Sequence, residues 1–218
     1  MKKIVILLFL LLTAGTMYGA LYTITLNSFN QGQWQLGYPY TVTINGVPNI
    51  SVMCNDYFHG GLPGDTWKTQ STNLGTGNTA HLRFSHTASA LVYYKEAAWI
   101  LLQTPVTSTT QYTGMNQAVW YIFYPSAPLT DPYARIWLAA AQHEGSLNFP
   151  GVNFGAVTIF TPQKKYDPDP NSPQELMTLA PFPAGVPTGA AVPEPSTLLL
   201  TMAGISGLAF YRRKSASR

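Results

Sequence analysis

The chain has 218 residues, 46% of them apolar, 13% aromatic and only 10% charged. That leaves room for one ordinary domain with peripheral segments. It excludes a disordered acidic or basic protein, which needs low hydrophobicity and high net charge. The formal charge of +3 comes from the two ends, which carry Lys2, Lys3, Arg212, Arg213, Lys214 and Arg218, whereas residues 21–191 hold six cations against eight acids. Phosphate binding needs a clustered basic face, so no nucleic-acid partner is expected.

In chain order, Met1-Lys2-Lys3 is followed by nine apolar residues from Ile4 to Leu12 and then by small and polar residues to Ala20. A positive start, a short apolar stretch and a small-residue cleavage region read as a secretory signal peptide over 1–20, handed to the secretion machinery and cut after Ala20. Nine apolar residues are too few for an ordinary span.

A globular body is expected over 21–180. Residues 22–26 and 40–44 alternate with period two, Asn45-Gly46 supplies a turn, and 50–53 continue beyond it, which predicts a hairpin. Leu91, Tyr94, Ala98, Leu101 and Leu102 follow helical spacing within 89–103 and stop before Pro105; Met115, Val119, Ile122 and Phe123 do so within 114–124 and stop before Pro125. A third helix is capped by Asp131, has Pro132 in its first position and ends before Gly145. Its apolar face is read as Tyr133, Ile136, Trp137 and Ala140. Residues 157–160 and 176–179 return to strand. The order predicts an α+β fold, a β-rich domain with an inserted set of about three helices. Asp167 to Pro173 form a loop, and residues 181–191 are a Pro/Gly/Ala-rich spacer.

Residues 192–214 have three parts. Val192-Pro193-Glu194-Pro195-Ser196-Thr197 precedes an apolar run from Leu198 to Tyr211, and Arg212-Arg213-Lys214 follows it. Ser196 suits a helix N-cap. Fifteen helical residues span roughly 22 Å, short of the ~30 Å hydrocarbon core, so this is a short transmembrane helix suited to a transient anchor. The basic cluster favours a cytoplasmic end, with the body outside. Pro193-Glu194-Pro195, the short helix and the basic tail resemble the PEP-CTERM sorting signal. The resemblance implies export by a Gram-negative type bacterium, transient residence in the inner membrane, and cutting near the triplet by an exosortase, a membrane cysteine transpeptidase. Pro193, Glu194, Pro195, Arg212, Arg213 and Lys214 are then the sorting residues. Association of that family with biofilm and matrix systems implies extracellular polysaccharide as a further partner.

The lone cysteine, Cys54, excludes an intramolecular disulfide framework. At the end of a predicted strand it reads as a small buried hydrophobe. A sharper reading starts from order. Cys54 precedes the apolar-Gln segment that ends at Gln103, and then Met115-Asn116-Gln117-Ala118-Val119-Trp120. This order is similar to the thioester domains of bacterial surface adhesins, in which a cysteine sulfur and a glutamine carbonyl form an internal thioester open to attack by amines. With Ala118 and Trp120 aligned, the bond-forming position is Asn116, and Gln117 is displaced by about 100° around the helix. His59, His81, His86 and His143 do not complete a zinc pattern, and no metal or other cofactor is expected. The expected function is that of an exported, non-enzymatic envelope or matrix protein, structural or binding. The alternatives are a thioester adhesin using Cys54 with Asn116 or Gln117, and a cysteine hydrolase.

Overall fold

The computed structural model describes residues 21–30, 37–104, 109–163 and 173–179. The signal segment, the spacer and the sorting segment with its expected short helix lie outside them, as do residues 164–172. All described residues belong to one compact unit, Leu21–Gly189. No helix among them is long and apolar enough to cross a membrane.

Six strands close into an antiparallel barrel, in the order β1 (Leu21–Asn30), β2 (Gly37–Ile44), β3 (Val47–Cys54), β6 (Leu176–Leu179), β5 (Val157–Pro162) and β4 (Thr66–Asn73). Between β4 and β5 the chain forms three helices, α1 (Ala90–Leu102), α2 (Thr109–Phe123) and α3 (Pro132–Ser146). This is the α+β arrangement expected from the sequence. The β2–β3 hairpin turns on Asn45 and Gly46, both at positive φ, 48° and 88°. The Asn45 side-chain oxygen also accepts the Thr23 amide at 2.8 Å, which ties the turn to β1.

Period-two alternation sends two sets of side chains to two cores. Tyr22, Ile24 and Leu26 of β1, Tyr40, Val42 and Ile44 of β2, and Ile50 and Val52 of β3 are buried and share one parity, which fills the barrel. Met53, Val157, Ile159 and Met177 have the opposite parity and join a second core with Tyr94, Ile100, Met115, Val119 and Leu138 of the helices. The helices therefore cover the outer face of β3, β6 and β5.

Four details differ from the sequence reading. Strand β4 was not foreseen, because Thr66–Asn73 buries only Trp67 and Thr69 and is otherwise polar. Helix α2 starts five residues before Gly114. Gly145 lies inside α3, one residue before its end at Ser146. The buried line of α3 is Ala134, Leu138 and Ala141, while Tyr133 and Ile136 are exposed. The cause is close packing of α3 on α2: a Cβ on Gly114 would lie 2.6 Å from Tyr133 Cβ and 3.0 Å from the Ala134 nitrogen. At that point a glycine on α2 and an alanine, Ala134, on α3 leave room for the approach.

Candidate functional site: Cys54 and the polar cluster at the barrel rim

Cys54 ends β3 with the parity of Ile50 and Val52, and it pairs with Leu176 of β6. Alternation therefore turns it into the barrel, where it is fully buried. Its thiol donates to the Asp56 carbonyl at 3.2 Å, and its sulfur accepts the Asp56 amide at 3.3 Å. Burial pushes the thiol up to about 12; the indole of Trp120 and the charge of Arg83 pull the other way, and Glu175 adds to the rise. The Trp120 N–H meets the sulfur without full hydrogen-bond geometry, since it makes no hydrogen bond among the described residues.

Directly past Cys54 the chain carries Asn55 and Asp56, both buried. They enter a cluster that closes this end of the barrel. Arg83 Nη1 is ion-paired with Asp56. His59 Nδ1 lies 2.6 Å from Asp56 Oδ1, and the Tyr124 hydroxyl donates to the same oxygen at 3.1 Å. Glu175, just before β6, accepts from four donors. These are the Tyr94 hydroxyl at 2.5 Å, Asn55 Nδ2 at 2.6 Å, the Thr161 hydroxyl at 2.5 Å and the Arg83 amide at 2.9 Å. Arg83 Nη2 adds a bond to the Pro173 carbonyl at 2.8 Å. Burial lowers the guanidinium from its ordinary value, and Glu175 opposes that. Burial also raises Tyr94, reinforced by Glu175, and moves Tyr124 to about 12. Buried charges persist when paired and hydrogen-bonded: Asp56 has the Arg83 ion pair and the Tyr124 hydroxyl, and Glu175 has its four hydrogen-bond donors.

Asn116 and Gln117 diverge as neighbours on a helix must. Gln117 faces the start of α3. Its Oε1 accepts the amides of Thr130 and Asp131 at 3.0 and 2.9 Å, and its Nε2 donates to the Thr130 hydroxyl at 3.1 Å. Asn116 is fully buried, and among the described residues both polar atoms of its amide lack a hydrogen-bond partner. It sits one turn before Trp120, on the same side of α2. Among the described residues no group of three or more His, Cys, Asp or Glu side chains is placed to hold a metal ion. Arg83, Glu175 and Thr161 were not singled out from the sequence, and Tyr94 was read only as part of an apolar helix face. The available signal was the scarcity of charge, which makes each acid or base within an apolar stretch worth pairing.

The sorting residues Pro193, Glu194, Pro195, Arg212, Arg213 and Lys214 lie outside the described residues. Residues 191–214 match the PEP-CTERM protein-sorting motif. That match supports an exported protein sorted by an exosortase at the membrane. No curated protein matches the chain. Among solved structures, the body has a weak similarity to the N-terminal thioester domain of fibronectin-binding protein SfbI from Streptococcus pyogenes. The TM-score is 0.46 at 12% identity, over 77% of this chain and 97% of that one.

Proposed function

We propose that the protein is an exosortase-sorted envelope component whose body is a non-enzymatic structural or binding module. The observation that carries this reading is the sorting match over 191–214. The state of Cys54 supports a passive body. A cysteine hydrolase needs a thiolate, and thiolates form in electropositive, partly exposed surroundings, whereas this thiol is fully buried and raised to about 12. The intact mass of the exported protein is the test. Cleavage near Pro193-Glu194-Pro195 with an unmodified Cys54 is expected. A mature protein that keeps residues 196–218, or a covalently altered Cys54, contradicts the reading.

One observation favours a second reading, an adhesin that couples to amines. A fully buried carboxamide with neither atom bonded costs about 1–3 kcal/mol, and Asn116 is such a group on the helix side that presents Trp120 to Cys54. In this reading the Cys54 sulfur bonds to Asn116 Cγ, the C–N bond breaks, and the amide nitrogen leaves as ammonia with the thiol proton. The mass then falls by ~17 Da, and methylamine opens the thioester. A native mass without that deficit excludes it.

A further inference from the structure

Strand β1 begins at Leu21, the residue after the expected signal-peptide cut at Ala20, so the folded body leaves no slack between the cut and the sheet. Leu21 pairs with Gln70 of β4 and Tyr22 with Thr69. The Tyr22 side chain is buried, and its ring meets the Phe160 ring of β5 edge-on at 5.3 Å. Thr23 is held twice by the β2–β3 turn. Its amide donates to Asn45 Oδ1 at 2.8 Å, and its carbonyl accepts the Asn45 amide at 2.9 Å. The sorting end is built differently: residues 180–192 separate Leu179, the last of β6, from Pro193, a length of chain that reaches up to ~45 Å when extended.

A peptidase takes its substrate as an extended segment, unpaired on both sides of the cut, and a segment held in structure is cut only through local opening. Chain order decides which pairing stands in the way. The register of β1 with β2 runs from Ile24 opposite Ile44 to Asn30 opposite Gly37 and does not include Leu21 and Tyr22. Those two are paired by β4, which lies further along the chain at Thr66–Asn73. The β1–β2–β3 meander can therefore form while the cut stays open, and the arrival of residues 66–70 closes it. We infer that signal-peptide removal comes before barrel closure. The peptidase acts in the interval before β4 docks on β1, and a precursor whose barrel has closed is a poor substrate that keeps residues 1–20. The step is a hydrolysis: water adds across the Ala20–Leu21 amide, leaving a carboxylate on Ala20 and a free amine on Leu21. The inference rests on reading residues 1–20 as a signal peptide and goes beyond the structural or binding role proposed above.

An order-of-addition experiment on the full-length precursor tests it. The precursor is unfolded in urea and diluted into detergent buffer, with a purified bacterial signal peptidase either present from the start or added after refolding. Processing is expected in the first order and should be roughly tenfold slower or more in the second, where it waits on the opening of β1. N-terminal sequencing of the product should read Leu21-Tyr22-Thr23. A precursor with a flexible Gly/Ser insert of about six residues between Ala20 and Leu21 should be processed equally fast in both orders, because the insert restores slack at the cut. Equal rates for the native precursor in both orders, a delay that persists with the insert, or a product that starts several residues before Leu21 overturns the inference. No processing of either precursor in either order overturns the signal-peptide reading itself and the inference with it, so the two failures are distinguishable.

Discussion

Cys54 is where chemistry would enter this molecule, and its surroundings oppose reactivity. In the native protein at pH 8 it should be inert to a disulfide reagent and should react once the protein is unfolded; fast labelling of the native state would contradict its placement. The same burial gives a pH dependence. The folded thiol is raised from 9.0 to about 12 and Tyr124 from 10.0 to about 12. Between those values the folded state holds protons that the unfolded state has lost, so stability is intact below about pH 9 and falls as pH rises toward 12. Denaturant midpoints across pH 7–11 should show this loss, and Cys54→Ala should move its onset upward, toward the range where the tyrosines titrate. Removing Arg83 would leave Asp56 and Glu175 buried without their cation. Arg83→Met should cost about 3–5 kcal/mol in chemical denaturation; a cost under about 1 kcal/mol would show that the cluster is not closed as described. Burial of Cys54 was legible in the sequence from the apolar residues before it. Its neighbours were not, because Asn55 and Glu175 are 120 positions apart and the closure of the barrel alone brings them together.

Among the elements, the helices α1 and α2 and the β2–β3 hairpin were legible because local chemistry specifies them: a 3.6 period ended by Pro105 or Pro125, and a two-residue Asn-Gly turn. Strand β4 was hidden by its polarity. Its backbone bonds to β1 and β5 hold it in the sheet while only Trp67 and Thr69 turn inward. The face of α3 was misjudged for a related reason. Large apolar residues suggest a buried face, yet α2 approaches the start of α3 closely at Gly114, beside Ala134, and the buried line runs on through Leu138 and Ala141. Gly114→Ala tests that contact. Its methyl would lie 2.6 Å from Tyr133 Cβ and 3.0 Å from the Ala134 nitrogen, atoms fixed to the backbone that cannot swing aside. A loss of about 1–3 kcal/mol is expected from overpacking, and a neutral substitution would mean that the two helices are further apart.

For the whole molecule, two cores share the sheet between them: a barrel interior and a helix-covered outer face. Both are built from residues of the one compact unit, Leu21–Gly189, so the fragment 21–180 should fold alone as a monomer with one cooperative thermal transition. A fragment soluble only in detergent would contradict this. The body carries no sorting information of its own in this account. In this account residues 1–20 start export and residues 191–214 direct sorting, and that separation of address from cargo is the central claim. The most direct test replaces Pro193-Glu194-Pro195 by alanines and fractionates cells of a host that carries the cognate exosortase. The account predicts a larger species held in the membrane fraction with its body still folded. Release of a protein of unchanged size would contradict it.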